Sequence, residues 1–136
     1  MGAAAALVAV GLSVTKFATL DVPVWRIRVV DQRGAPVPHA RVREIWQNYS
    51  LESEAHEQDC TSDESGYVEF PARYARGSAI RRAWGPVRSL LQQGIHASFG
   101  PDAYVMAITD SAEGSAGYKP GVPPPAVISL RPRPSY

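Results

Sequence analysis

The sequence predicts an all-β domain: an antiparallel β-sandwich of about six or seven strands, with a short helical insertion and a hydrophobic N-terminal segment. Three observations lead to this prediction. Twelve prolines and eleven glycines divide the 136 residues into stretches too short for a helical bundle. Several short segments alternate apolar and polar residues with the period of a strand. One further stretch repeats apolar residues with the period of a helix.

Composition and charge limit the class of protein. With 45% hydrophobic and 20% charged residues, the chain can bury one core and does not resemble a disordered segment. Fourteen Lys and Arg against thirteen Asp and Glu give a net charge of +1, so we expect no nucleic-acid partner. Cys60 is the only cysteine, which excludes an intramolecular disulfide and a zinc ribbon.

The first twenty residues differ from the rest. Residues 2–14 are uncharged, small or aliphatic, and they are followed by Thr15 and Lys16. This length suits the core of a signal peptide. A helix needs about 20 residues to span a bilayer, and the segment approaches that length if it continues past Lys16. We therefore expect a signal or anchor segment over 1–20, a sandwich domain over 21–131 and a Pro-rich tail over 132–136. The expected location is extracytoplasmic: periplasmic, secreted or membrane-anchored. A buried N-terminal strand or a disordered apolar tail is the alternative for 1–20.

The first half of the domain contains the clearest strands. Residues 24–31 alternate apolar and charged side chains, so they predict a strand with one buried face. A loop with Gly34 and two prolines follows. Residues 39–47 predict a second strand, but Glu44 occupies a place where an apolar residue is expected, and a β-bulge would absorb that slip. The acidic stretch 52–64 is expected to be a loop.

The second half is less regular. Residues 67–70 predict a short strand. Residues 79–93 predict two short helical pieces that meet at Gly85 and Pro86, and their apolar stripe, which includes Trp84, is expected to pack on the sandwich. Residues 103–109 and 127–130 predict the last strands, separated by a Pro- and Gly-rich loop over 110–125.

The order of these segments resembles the carboxypeptidase regulatory-like domain, a transthyretin-like (prealbumin-like) β-sandwich. The resemblance covers about residues 24–71 and rests on turn and core positions, namely Asp31, Gly34, Pro36, Val37, Ala40, Val42, Thr61, Asp63, Gly66, Val68, Phe70 and Pro71. It implies a fold and is nearly silent about activity.

Two enzyme families share this architecture. Ile45, Trp46 and Gln47 resemble a strand end of the intradiol ring-cleavage dioxygenases, whose iron is bound by two Tyr and two His with an H-x-H pair. This chain has three separate histidines, His39, His56 and His96, and no H-x-H. Hydroxyisourate hydrolases carry a His where this chain has Arg28, and they end in Y-R-G-S. We therefore transfer neither active site and expect no catalytic residue, cofactor or metal.

The chemical candidates that remain are few. No acid occurs between Pro71 and Pro101, and five arginines of that stretch form a possible anion- or partner-binding patch: Arg73, Arg76, Arg81, Arg82 and Arg88. A solvated helix face, or pairing with the acidic 52–64 stretch, is the alternative. Five residues of that stretch could ligate a metal, but their spacing fits no metal motif and favours a solvated loop: Glu54, His56, Glu57, Asp59 and Cys60. A triad of His96, Ser98 and Asp102 lacks a nucleophile elbow.

The sequence thus favours a non-enzymatic accessory or binding module outside the cytoplasm, with a protein or carbohydrate ligand. One alternative is an enzyme on the same fold, iron-dependent and similar to an intradiol dioxygenase. Its ligands would come from the tyrosines and histidines Tyr49, Tyr67, Tyr74, Tyr104, His56 and His96. The other alternative is a purely structural envelope protein.

Overall fold

A computed structural model describes residues 16–78, 82, 84, 87, 91 and 100–134. These residues form ten strands: β1 (Lys16–Val22), β2 (Trp25–Val30), β3 (Arg41–Asn48), β4 (His56–Thr61), β5 (Tyr67–Phe70), β6 (Arg73–Ser78), β7 (Pro101–Ile108), β8 (Ala112–Tyr118), β9 (Val127–Ser129) and β10 (Arg131–Pro132).

The strands form three sheets. A five-stranded sheet has the order β10-β8-β7-β3-β4, a three-stranded sheet has the order β5-β2-β9, and β1 and β6 form a two-stranded ribbon. Every pairing is antiparallel except that of β2 with β9. The predicted all-β antiparallel sandwich is confirmed, with more strands among the described residues than the six or seven expected.

The core lies between the five-stranded and three-stranded sheets. Alternate side chains of each strand point inward, as the period of a strand requires. The five-stranded sheet contributes small and β-branched residues, and the three-stranded sheet contributes the large ones: Val42, Ala103, Val105 and Ala107 face Trp25, Ile27, Val29, Phe70 and Ile128. The indole Nε1 of Trp25 donates to the Pro125 carbonyl at 2.7 Å, so this buried polar atom is satisfied.

Two turns explain most of the polar positions that resemble the regulatory-like domain. Asp31 Oδ1 accepts hydrogen bonds from the backbone N–H groups of Arg33 and Ala35, and Gly34 has φ +82°. Asp63 Oδ1 accepts from Ser65 and Tyr67 in the same way. At Gly66, which has φ +80°, a Cβ would lie 2.6 Å from the Val29 carbonyl oxygen. Both turns therefore need an aspartate that bonds its own backbone and a glycine.

Both predicted domain boundaries fall inside strands. β1 includes Lys16–Leu20, which we assigned to the N-terminal segment, and it pairs along its length with β6. Pro132, which we assigned to the tail, pairs with Ala112 in β10. The folded domain therefore includes residues 16–20 and 132.

The predicted β-bulge in the second strand is wrong. β3 keeps one continuous register with β4 from Arg41 to Trp46 and with β7 from Arg41 to Asn48. Glu44 stays on the inner face and is fully buried. The physical reason is that a buried partner, Arg73, makes an acid acceptable at a core position, so the strand has no need to slip.

Two segments expected to be loops contain strands. The acidic stretch holds β4 and the Gly-rich loop holds β8, and β6 lies just before the predicted helical pieces. The predicted helical pieces lie largely outside the described residues. Their four described members, Arg82, Trp84, Val87 and Leu91, are helical. Trp84 is 64% exposed and Leu91 82% exposed, so the prediction that the stripe packs on the sandwich is wrong for these residues. Among the described residues, no helix has the length and apolarity needed to cross a bilayer.

Candidate functional site

The ribbon of β1 and β6 brings charged side chains against the inner face of the five-stranded sheet. Glu44, Trp46 and Asn48 alternate along that face of β3. β4 places Gln58 opposite Glu44 and His56 opposite Trp46. Polar residues therefore replace the apolar core at this end of the sandwich.

Arg73 of β6 is bound on three sides. Its Nε donates to Glu44 Oε2 at 2.8 Å, and one of its terminal NH2 groups donates both to the same oxygen and to Gln58 Oε1. Its guanidinium lies 3.9 Å from the centroid of the Trp46 ring. Glu44 Oε1 is buried and has no hydrogen-bond partner among the described residues.

A second series of polar contacts leads from Asp21 to the surface. Asn48 Nδ2 donates to Asp21 Oδ1 at 2.8 Å, and the Asn48 backbone N–H donates to Glu52 Oε2 at 3.0 Å. Glu52 Oε1 lies 3.1 Å from His56 Nε2. The His56 ring stacks on Trp46 with a centroid distance of 5.4 Å. Together these residues form the polar cluster: Asp21, Glu44, Trp46, Asn48, Glu52, His56, Gln58 and Arg73.

Burial sets the electrostatics of the polar cluster. Burial raises the pKa of the Glu44 carboxyl, and the hydrogen bond from Arg73 opposes that rise only in part. Burial likewise raises the pKa of Asp21, against the hydrogen bond from Asn48. A carboxyl with a raised pKa can exchange a proton nearer neutrality. Most polar atoms of the cluster are nevertheless bonded within the chain, which is the arrangement of a network that fastens the ribbon to the sheet.

The opposite face of the five-stranded sheet has no other sheet packed on it among the described residues. We call it the outer face; it carries Arg41, Arg43, Ile45, Tyr104, Met106 and Ile108. A shallow groove of about 210 Å³ runs between Ile45, Met106 and Ile108 and the two arginines. A wider depression of about 590 Å³ shares Arg41 and Ile108 with this groove and continues to His39 and Arg133.

Ion pairs fix the charged side chains of the outer face. Arg43 Nε donates to Asp59 Oδ1 at 2.6 Å, and Arg41 Nε donates to Asp59 Oδ2 at 3.0 Å. Arg43 also contacts Glu57 at 3.2 Å. These hydrogen bonds hold the pKa of Asp59 well below its usual range. The charges thus frame an apolar strip in a fixed arrangement.

The predicted arginine patch is divided by the structure. The Arg73 side chain is only 12% exposed and is bound to Glu44, so it does not belong to an exposed patch. Arg76 is exposed on β6, Arg82 is half-buried, and Arg81 and Arg88 lie outside the described residues. Five large apolar side chains of the ribbon and of the described helical residues are exposed, namely Leu20, Tyr74, Trp84, Val87 and Leu91.

The possible metal ligands of the acidic stretch are split between two faces. β4 alternates, so His56 and Cys60 share one face while Glu57 and Asp59 share the other. Glu57 and Asp59 are paired with arginines. Within the part of the chain that the structure describes, no three His, Cys, Asp or Glu residues are placed to hold a metal ion.

The tyrosines of the iron-enzyme alternative also lie apart. Tyr67 lies beneath the guanidinium groups of Arg26 and Arg28 on the three-stranded sheet. Tyr104 is on the outer face, whereas His56 is on the inner side of β4, and Tyr74 is exposed. Tyr49 follows β3 directly. The described tyrosines and His56 therefore do not fit one iron site, and His96 and Ser98 lie outside the described residues.

The outer face and Glu44 were not identified from the sequence as functional. The available signal for Glu44 was that it occupies a position of β3 where the alternation predicts a buried apolar residue. For the outer face, the available signal was in the strand predicted over 103–109, where Met106 and Ile108 are apolar on the face opposite the core. A strand with one solvated face is expected to carry polar residues on that face.

These features define a β-sandwich whose polar cluster lies at one end and whose five-stranded sheet has an open outer face. No family model and no curated protein matches the chain. Among solved structures, the chain resembles 3-chlorocatechol 1,2-dioxygenase from Rhodococcus opacus 1CP, with a TM-score of 0.53 and 14% sequence identity. The match covers 90% of this chain and 64% of the dioxygenase chain, so this protein spans somewhat less than two thirds of that length. At this identity the likeness shows the fold alone.

Proposed function

We propose that the chain is a non-enzymatic accessory module that works outside the cytoplasm and binds a protein ligand on the outer face of its five-stranded sheet. The observation that supports this proposal is the outer face itself. It combines an exposed tyrosine, an apolar strip and arginines, the residue types enriched at the centres of protein interfaces.

The fixed charges add to this argument. Because Arg41 and Arg43 are already held by Asp59, a partner that docks here has less side-chain entropy to remove on binding. A protein fits this face better than a sugar, because the apolar strip of Ile45, Met106 and Ile108 offers few hydrogen-bonding groups.

Site-specific photocrosslinking of the full chain in the envelope of its own host tests the proposal. The photoreactive residue p-benzoylphenylalanine replaces Tyr104 in one variant and Val122, which is 58% exposed on a loop, in the matched control. We expect one discrete protein adduct from position 104 and none of the same mass from position 122. Equal adducts from both positions, or none from position 104, would contradict a protein ligand on the outer face.

The second candidate is an enzyme on the same fold. It is favoured by the likeness to a chain named as a 3-chlorocatechol 1,2-dioxygenase and by the half-satisfied carboxyl of Glu44. The described tyrosines and His56 do not fit its iron site. Metal analysis of the full chain purified from iron-supplemented cells, with a catechol ring-cleavage assay, distinguishes the candidates. Near-stoichiometric iron with turnover would favour the enzyme over the binding module.

A further inference from the structure

The three-stranded sheet carries two arginines stacked on one tyrosine, on the side that faces away from the core. Strands β2 and β5 bury alternate residues, so Arg26, Arg28 and Tyr67 lie on the side opposite the core. The centroid of the Tyr67 ring lies 4.5 Å from the guanidinium carbon of Arg26 and 5.3 Å from that of Arg28. Both guanidinium groups therefore make cation–π contacts with the same ring. We call Arg26 and Arg28 the arginine pair.

The charges of the arginine pair are not balanced by an ion pair. Neither arginine forms one with any acid among the described residues, whereas Arg41, Arg43 and Arg73 on other strands each bind a carboxylate. Glu69 lies directly opposite Arg26 in the strand register, a position from which oppositely charged side chains usually interact. The Arg26 guanidinium is nevertheless stacked on the tyrosine ring, so both positive charges remain available to a ligand.

The guanidinium groups are also held in place. Arg28 Nε donates to the Ser65 carbonyl at 3.1 Å, and the terminal NH2 groups of Arg28 make no hydrogen bond within the described part of the chain. The two arginines are two residues apart on one side of a strand, which separates their Cα atoms by roughly 6.6 Å. Guanidinium groups bind phosphate and carboxylate oxygens through paired hydrogen bonds. Donors that are already fixed lose less entropy when a ligand binds.

We propose that the arginine pair is a binding site for a doubly charged oxyanion of the phosphate or sulfate class, and that Tyr67 is the positioning residue that holds both guanidinium groups. Two positive charges at this spacing match a dianion better than a single carboxylate. The site lies on the opposite side of the sandwich from the outer face. It is therefore independent of the protein ligand proposed there.

A sulfate titration of the full chain tests this site by nuclear magnetic resonance of the arginine Nε–Hε groups. Sodium chloride keeps the ionic strength constant, because salt alone screens every exposed charge. We expect saturable shifts at Arg26 and Arg28. Arg33 is the control, since it is exposed and forms no ion pair with a described residue. Equal shifts at Arg33, no saturation at the arginine pair, or equally tight binding of acetate would overturn the proposal.

Variants test the residues of the site one at a time. Arg26→Gln is expected to weaken sulfate binding by about two- to fivefold, as for loss of an exposed ion pair, and Arg33→Gln is expected to leave it unchanged. Glu69→Gln should tighten binding, because it removes a negative charge beside the site. Tyr67→Phe should keep wild-type affinity, whereas Tyr67→Leu should weaken binding while circular dichroism shows a folded chain. Equal binding by Arg26→Gln and Arg33→Gln would overturn the site, and unchanged binding by Tyr67→Leu would overturn the positioning role.

The source of the oxyanion is distinguished by two phosphate probes at about pH 8, where phosphate monoesters are dianions. Inorganic phosphate stands for a free anion, and phenyl phosphate stands for an ester carried on a larger ligand. The ring resonances of Tyr67 follow both titrations. Tighter binding of phenyl phosphate would indicate an ester, equal or tighter binding of inorganic phosphate would indicate the free anion, and binding of neither would overturn the site. Crosslinking at position 104 reports on the outer face separately, so either proposal can fail alone.

Discussion

Arg73 of β6 donates a hydrogen bond of 2.8 Å to Glu44 of β3 inside the sandwich. The two residues belong to different sheets, so the ion pair fastens the ribbon across the five-stranded sheet. A buried ion pair gains little net stability, because both charges lose their hydration, but loss of one partner strands the other charge in the core. The pair therefore determines where the ribbon packs on the five-stranded sheet, and it adds little to the free energy of unfolding.

Removal of one partner of this ion pair is expected to be costly. Arg73→Met leaves the Glu44 carboxyl buried without its cation, and we expect a loss of about 3–5 kcal/mol in the free energy of unfolding. Urea denaturation followed by circular dichroism measures this loss.

The double variant Glu44→Leu/Arg73→Met provides the control. It replaces the ion pair by apolar side chains, so we expect stability within about 1 kcal/mol of wild type or higher. If the double variant loses as much stability as Arg73→Met alone, the stranded charge is not the cause. Packing of the guanidinium on Trp46 would then account for the loss.

Glu44 also predicts an unusual dependence of stability on pH. Because its folded-state pKa is raised, the folded chain keeps the Glu44 proton to higher pH than the unfolded chain does. The carboxyl therefore favours folding at low pH, and this contribution is lost as the pH rises from about 4 through the raised pKa. Asp59, whose pKa is lowered, has the opposite dependence, since its contribution is lost as the pH falls.

Glu44→Gln isolates this effect. We expect the free energy of unfolding of the variant to rise relative to that of wild type as the pH increases above about 4. The rise is about 1.4 kcal/mol for each pH unit between the unfolded and folded pKa of Glu44. Urea midpoints measured across that pH range follow the difference. Glu57→Gln, at an exposed position, serves as the control and should show no such gain. A constant difference between Glu44→Gln and wild type would show that the pKa of Glu44 is not raised.

The sequence predicted strands well where alternation and turn chemistry coincide. β2 and β5 alternate regularly and are joined to aspartate–glycine turns, so both were located within a residue or two. β4 was missed because His56 and Gln58 on its inner face are polar, and β8 was missed because Gly114, Ser115 and Gly117 are typical of loops. Each of these strands is held by backbone pairing with the preceding strand of the chain, β3 for β4 and β7 for β8, which the side-chain pattern of the strand itself does not show.

The polar cluster could not be predicted from the sequence because its ion pair joins residues that are far apart in the chain. Glu44 and Arg73 are 29 residues apart, and neither residue alone indicates the other. Local patterns could show only that Glu44 interrupts an apolar face. The arginine that makes this position acceptable reaches it through the pairing of β1 with β6, which no local period encodes.

The pairing of β1 with β6 predicts where the chain can be shortened. A chain that begins at Lys16 keeps the whole ribbon, whereas one that begins at Asp21 loses most of the partners of β6. We expect the shorter chain to lose about 0.5–1.5 kcal/mol for each ladder hydrogen bond removed. Amide hydrogen exchange should then become fast at Ala75 and Gly77. Equal stability and equal exchange in the two chains would show that residues 16–20 do not support the fold.

Two glycines of β8 give a matched test of how closely the sheets approach. A Cβ on Gly114 would lie 2.6 Å from the Ser129 carbonyl oxygen and 2.8 Å from Ile128 Cγ2, whereas a Cβ on Gly117 would meet nothing within 4 Å. Because the Ser129 oxygen is backbone and cannot move without shifting β9, we expect Gly114→Ala to lower the free energy of unfolding by about 1–3 kcal/mol. Gly117→Ala is expected to leave stability unchanged or to raise it by roughly 0.5–1 kcal/mol, since alanine orders a strand more readily than glycine does. Urea denaturation of both variants measures the difference. Equal stability of the two variants would mean that β8 and β9 lie farther apart than the structure has them.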